Sequence, residues 1–127
     1  MKIVTGGAFQ GKLDYAKGEY GGTVYDCGAD ENREKTTLDF SCSIINGLEY
    51  FTRACCRQGI EASDYLRSHI EELWDTVILC TDISQGLVPM DSFERDWREM
   101  TGRAMIYLVG EADSVERIFC GLAQKIK

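Results

Sequence analysis

The chain has 127 residues, 44% of them hydrophobic and 28% charged, with a formal net charge of −7. That length implies one domain, able to bury a core without a metal or disulfide staple, and the apolar content excludes a disordered chain. The acidic balance excludes a protein that coats nucleic acid through a basic surface, but not one that holds a nucleotide at a local positive site.

Residues 3–5 form a short apolar run closed by Gly6-Gly7, which predicts a buried strand. From Gly11 to Tyr20, the positions of Leu13, Ala16, Lys17 and Tyr20 predict a helix that Gly21-Gly22 ends. Residues 23–27 (TVYDC) read as a second strand, and 28–35 as a solvated loop. The 38–43 stretch fits no single pattern. Ile44, Leu48, Phe51 and Cys55 fall at helical spacing, so a helix is expected from Ile44 to the stop at Gly59. Ser63-Asp64 offers a cap for the next helix, running to Trp74 with Leu66, Ile70 and Leu73 inward. Residues 76–81 (TVILCT) are a continuous apolar run, as in a strand covered on both faces. A loop over 82–89 precedes a helix capped by Asp91 or Ser92, which carries Phe93, Trp97, Met100, Ala104 and Tyr107. Residues 115–120 and 122–126 read as strands about a turn at Gly121.

The resulting order, β-α-β-α-α-β-α-β-β, predicts an α/β domain whose mostly parallel sheet carries helices on both faces. Ligands in such sheets bind beyond the carboxyl ends of the strands, which selects 6–12 and 82–86. No run reaches the ~20 apolar residues of a membrane span. The N-terminal residues do not resemble a secretory leader, so a cytoplasmic location is expected. The six cysteines sit mostly in apolar segments without C-x-x-C spacing; free buried thiols are expected rather than disulfides or zinc.

Gly6-Gly7-Ala8-Phe9-Gln10-Gly11-Lys12 fits the first seven positions of the phosphate-loop pattern G-x-x-x-x-G-K-[ST], between a predicted strand and a predicted helix. Glycines let amides turn toward an anion, the helix adds its positive end, and Lys12 would reach the outer phosphates. The eighth position, Leu13, lacks the hydroxyl that would meet Mg2+. The plainer alternative is a glycine-rich turn with a surface lysine. Asp82, at the end of the 76–81 strand, is placed to hold Mg2+ or position a nucleophile, or else to cap its own turn. Asp26 has a similar, weaker placement. His69, the only histidine, lies in a polar stretch and reads as solvated. Trp74, Phe93, Trp97 and Tyr107 read as core. Arg95, Arg98 and Arg103 read as a solvated face paired with Glu94 and Glu99.

Three segments resemble the adenosylcobinamide kinase / adenosylcobinamide-phosphate guanylyltransferase family of cobalamin biosynthesis. They are residues 3–12; residues 77–89 with Phe93, Arg98 and Thr101-Gly102-Arg103; and the tail Asp113-Ser114-Val115-Glu116-Arg117-Ile118-Phe119-Cys120-Gly121-Leu122. Together they span about half the chain. The resemblance implies a three-layer P-loop NTPase-like domain of the recombination-protein (RecA-like) type, often a homo-oligomer. It implies ATP- or GTP-dependent phosphorylation of the corrinoid adenosylcobinamide. Lys12 would lie on the nucleoside triphosphate and Asp82 at the family's acidic position. The chain departs from the family where Leu13 replaces the magnesium hydroxyl. The 28–35 stretch holds no histidine to be guanylylated, and Met105-Ile106 replaces an Asn-Gln pair. The guanylyltransferase activity is therefore expected to be lost. A non-catalytic nucleotide- or corrinoid-binding member is the alternative.

Overall fold

The structure is a computed structural model and describes residues 1–84 and 90–127. The Gly86-Leu87-Val88-Pro89 stretch that carries part of the resemblance lies outside the described residues. In chain order the elements are β1 (Lys2–Gly6), α1 (Lys12–Tyr20), β2 (Val24–Asp26), β3 (Ile44–Asn46), α2 (Leu48–Arg57) and α3 (Ala62–Ser68). A 3-10 turn (Ile70–Leu73) follows, then β4 (Val77–Thr81), α4 (Ser92–Glu111), β5 (Ser114–Phe119) and β6 (Leu122–Lys125).

The six strands form one sheet in the order β2-β3-β4-β1-β5-β6. Pairing is parallel from β2 to β5, and only β6 runs antiparallel, against β5. Alternation along the strands sends side chains to two cores. On one face Val4, Ile44, Leu79 and Ile118 pack with Ala16 of α1. On the other, Ile3, Ile45, Ile78 and Val115 pack with Leu48 and Phe51 of α2, Leu66 of α3, and Ala104 and Leu108 of α4. The expected α/β architecture, a mostly parallel sheet flanked by helices, is what forms.

Several local expectations are corrected. Residues 44–46 are a strand, not the first turn of a helix: Ile44 and Ile45 are both buried, one on each sheet face, and Gly47 breaks the chain with φ 75 before α2 begins at Leu48. Neither Ser63 nor Asp64 caps the next helix; Glu61 is its N-cap, and the α-helix gives way to the 3-10 turn instead of running to Trp74. Asp91 does cap α4, accepting a hydrogen bond from Phe93 N at 2.7 Å. Trp74 is exposed rather than core. All six thiols are free, but only Cys27, Cys55 and Cys80 are buried, and Cys120 is exposed. No described helix is long and apolar enough to cross a membrane.

Candidate phosphate-binding site

β1 delivers the chain into the 6–12 turn beside the ends of β4 and β5. Gly6 has φ 147, and a Cβ there would lie 2.5 Å from the Ile118 carbonyl oxygen, so strand β5 leaves room only for glycine. The turn contains two further left-handed positions, Phe9 at φ 59 and Gly11 at φ 90. Left-handed backbone is unusual for phenylalanine, and here its ring is held out in solvent. Gln10 fastens the turn to the β5–β6 connection: its carbonyl accepts from Gly121 N at 2.9 Å and its Oε1 from Cys120 N at 2.6 Å. Gly11 starts α1 without a side-chain cap, which leaves the first helical amides and the positive helix end directed at the turn.

Lys12 is only 9% exposed. Its ammonium folds back and donates to the Gly7 carbonyl at 2.7 Å, inside the turn rather than out in bulk water. Burial lowers the Lys12 pKa from its usual value, while the nearby charge of Glu49 partly restores it. Glu49 stands in the first turn of α2 and is itself buried. Its Oε1 accepts from Thr81 N, at the end of β4, at 3.0 Å. Lys12, Glu49, Asn46, Thr81, Tyr50 and residue Phe9 line one open cavity of about 310 Å³. The cavity therefore combines a buried cation, a buried carboxylate and a helix N-terminus.

Asp82 lies beside this cavity but does not line it. Its amide donates to the Gly6 carbonyl at 2.8 Å, which fixes it next to the start of the turn. Its Oδ1 accepts from Ser84 N at 2.9 Å and Ser84 Oγ at 2.6 Å. Asp82 instead lines a second depression of about 170 Å³, together with Thr5, Cys80, Arg98, Thr101 and Met105. Leu13 packs partly buried against the α1 side of the sheet and brings no oxygen to the turn. Among the described residues no three His, Cys, Asp or Glu side chains group as a metal site. The residues at the turn thus do not make the hydroxyl-and-carboxylate set that the phosphate-loop pattern brings to magnesium.

The remaining candidates disperse. Asp26 Oδ1 accepts from Gly28 N at 3.0 Å and from Asn46 Nδ2 at 3.3 Å, closing the turn after β2. His69 is not simply solvated: Nδ1 sits 3.0 Å from Glu72 Oε1, and the ring stacks on Phe40 with centroids 5.1 Å apart. Arg103 pairs with Glu61 at 2.9 Å, and Glu94 pairs with Arg53 at 3.0 Å, so these α4 charges tie helices together rather than pairing within one face. Arg95 donates to the Met90 carbonyl and Arg98 to that of Ser84.

Sequence reading missed Glu49. An early glutamate in an amphipathic helix looks like a solvated residue, and the 44–55 period placed the helix start too soon. The usable signal was Asn46-Gly47, a turn dipeptide directly after two buried isoleucines. In comparisons with known proteins, neither a family model nor a curated protein matches the chain.

Proposed function

We propose that the chain binds a nucleoside triphosphate at residues 6–12 as a P-loop, RecA-like domain, and that it acts as a cobinamide kinase-like phosphotransferase of cobalamin biosynthesis. One observation carries the binding reading: Lys12 is held inside a glycine turn that joins the first strand to a helix N-terminus. Its ammonium is desolvated and spends its hydrogen bond on the Gly7 carbonyl. A triphosphate would replace that carbonyl with a stronger, charge-assisted partner. In phosphoryl transfer the acceptor hydroxyl of adenosylcobinamide attacks the terminal phosphorus and the nucleoside diphosphate leaves in line. Lys12 and the loop amides would stabilise charge on the transferred group. Asp82, anchored beside Gly6, would orient the attacking hydroxyl in this reading.

A second reading, a nucleotide- or corrinoid-binding sensor without turnover, is favoured by two observations. Leu13 supplies no metal-binding oxygen, and Asp82 lines a different depression from Lys12. Thermal denaturation with ATP or GTP, with and without Mg2+, tests the shared claim. A ligand at about 100 times its Kd adds ~2.7 kcal/mol of stability, enough to read as a clear rise in Tm. The expected result is stabilisation by nucleotide that Lys12→Ala abolishes. Absence of any shift in the parent protein overturns the binding claim. Binding without phosphorylation of cobinamide selects the sensor.

A further inference from the structure

Two buried groups of opposite charge share the cavity at the 6–12 turn without neutralising each other. Lys12 donates to the Gly7 carbonyl at 2.7 Å, and Glu49 Oε1 accepts from Thr81 N at 3.0 Å. Among the described residues they form no ion pair with each other. The Glu49 charge nonetheless raises the Lys12 pKa against the effect of burial. Glu49 is only 8% exposed. Among the described residues its second oxygen, Oε2, accepts no hydrogen bond, and it is not sealed from solvent as Glu61 Oε1 is. The cavity that Glu49 lines is where that oxygen opens. A buried carboxylate oxygen without a donor is costly to hold, and a ligand that brings a donor relieves the cost. Phosphate alone does not: it satisfies Lys12 and meets repulsion from Glu49. A phosphoryl group on Lys12 with a hydrogen-bond donor beside it on Glu49 satisfies both.

We propose that Glu49 is a catalytic residue: its Oε2 receives the proton of the acceptor hydroxyl while Lys12 holds the transferred phosphoryl group. The role rests on the phosphotransferase reading above. The acceptor oxygen bonds to the terminal phosphorus as the bond to the nucleoside diphosphate breaks. The hydroxyl proton passes to Oε2 and from there to water. Asp82 is the poorer proton acceptor. It lines the neighbouring depression, which shares only Thr81 with this cavity, and its Oδ1 already accepts from Ser84 N and Ser84 Oγ. Asp82 can orient the hydroxyl from that side, but the carboxylate that shares a cavity with Lys12 is Glu49. The same carboxylate sets the class of acceptor. A carboxylate acceptor is repelled. An alkylammonium pairs with Glu49 but has no lone pair with which to attack. A neutral alcohol does both: it donates to Oε2 and attacks phosphorus.

Glu49→Gln tests this, because it keeps an acceptor for Thr81 N and removes only the charge. Single-turnover transfer from ATP to adenosylcobinamide by the full chain, with Mg2+ present, is measured beside ATP binding by calorimetry. The expected result is transfer at least ~100-fold slower than in the parent, with ATP binding retained or tightened. Glu49→Ala is slow as well, and added formate, which carries a carboxylate into the space left, raises its rate with concentration. A glutamate with a purely structural role gives no such rescue, so its absence overturns the proposal. Transfer by Glu49→Gln at the parent's rate also overturns it and leaves the phosphotransferase reading standing. Loss of ATP binding together with rate overturns it too, since Glu49 then serves binding and not the proton. A parent chain that binds ATP but transfers to no alcohol removes the phosphotransferase reading and this role together, and leaves the sensor.

Discussion

Lys12 and Glu49 face one cavity with opposite consequences for an anion. Lys12 attracts it, while Glu49 supports the Lys12 charge in the free protein and repels a triphosphate that arrives without a cation. Glu49→Gln keeps an acceptor for Thr81 N and removes the charge. The Lys12 pKa should then fall further, because the Coulombic support is gone, and metal-free nucleotide should bind several-fold more tightly. Titration of the Lys12 ammonium by NMR and calorimetry with ATP in chelator check the two halves. Leu13→Ser tests the same site from the other side. If leucine is what separates the turn from the phosphate-loop pattern, the serine variant gains nucleotide binding that depends on Mg2+, measured as the difference between titrations with and without the metal. At this scale the sequence was legible where backbone chemistry dictates residue type. Gly6 and Gly11 announced a turn with left-handed positions, and Lys12 its cation. It was silent on Glu49 because only tertiary packing decides which side of α2 meets the end of β4.

Among elements, the join between α2 and α4 is polar where the rest of that face is apolar. Thr52 Oγ1 donates to the Glu49 carbonyl at 3.0 Å and lies 2.7 Å from Thr101 Oγ1, with both threonines buried. Trp97 Nε1 reaches the same Glu49 carbonyl at 2.9 Å and Thr52 Oγ1 at 3.2 Å. This cluster fixes the turn of α2 that presents Glu49, so it links helix packing to the site. Thr52→Val preserves shape but removes a buried partner from Thr101 and Trp97, a loss of ~1–3 kcal/mol in stability. A lower urea midpoint with unchanged slope is the expected result, together with weaker support of the Lys12 charge as α2 loosens. Element types were readable wherever one period dominated. TVILCT could only be a covered strand, and the 92–111 helix had its Asp91 cap. The failure at 44–46 has a physical cause: two adjacent isoleucines in a three-residue strand satisfy a helical period as well as a strand does, and only Gly47 at φ 75 separates them from α2. The same ambiguity hid the full width of the sheet.

For the whole molecule, the sheet face that carries α2, α3 and α4 also carries the buried thiols. Cys27, Cys55 and Cys80 all lie in that core. Burial pushes the Cys27 and Cys55 thiols from 9.0 up to about 12, and raises Cys80 well above its ordinary value. On the opposite side of the sheet, Tyr15 and Tyr20 both donate to Glu116, and the hydrogen bond to that carboxylate leads in lifting Tyr15 from 10.0 to about 12. Each of these groups holds its proton more tightly folded than unfolded. The unfolded chain therefore releases protons first as pH rises, and folding stability falls with pH once the unfolded thiols begin to ionise near 9.0. Lys12 has the opposite sign: its lowered pKa makes the folded chain release a proton first, so it adds stability as pH rises toward 10.5. Three thiols against one lysine decide the direction. Each fully buried thiol contributes ~1 kcal/mol of loss per pH unit above its unfolded pKa, so the net effect between pH 9 and 12 is destabilising by several kcal/mol. Urea midpoints at pH 8 and about pH 10.5 should show this loss, and Cys27→Ala should lessen the pH slope while lowering stability at pH 8 through the small cavity it leaves. A midpoint that is flat or rises through this range would mean that these thiols reach solvent, and that the face bearing α2, with the Glu49 it presents, is looser than the packing of Ile45, Ile78 and Phe51 implies.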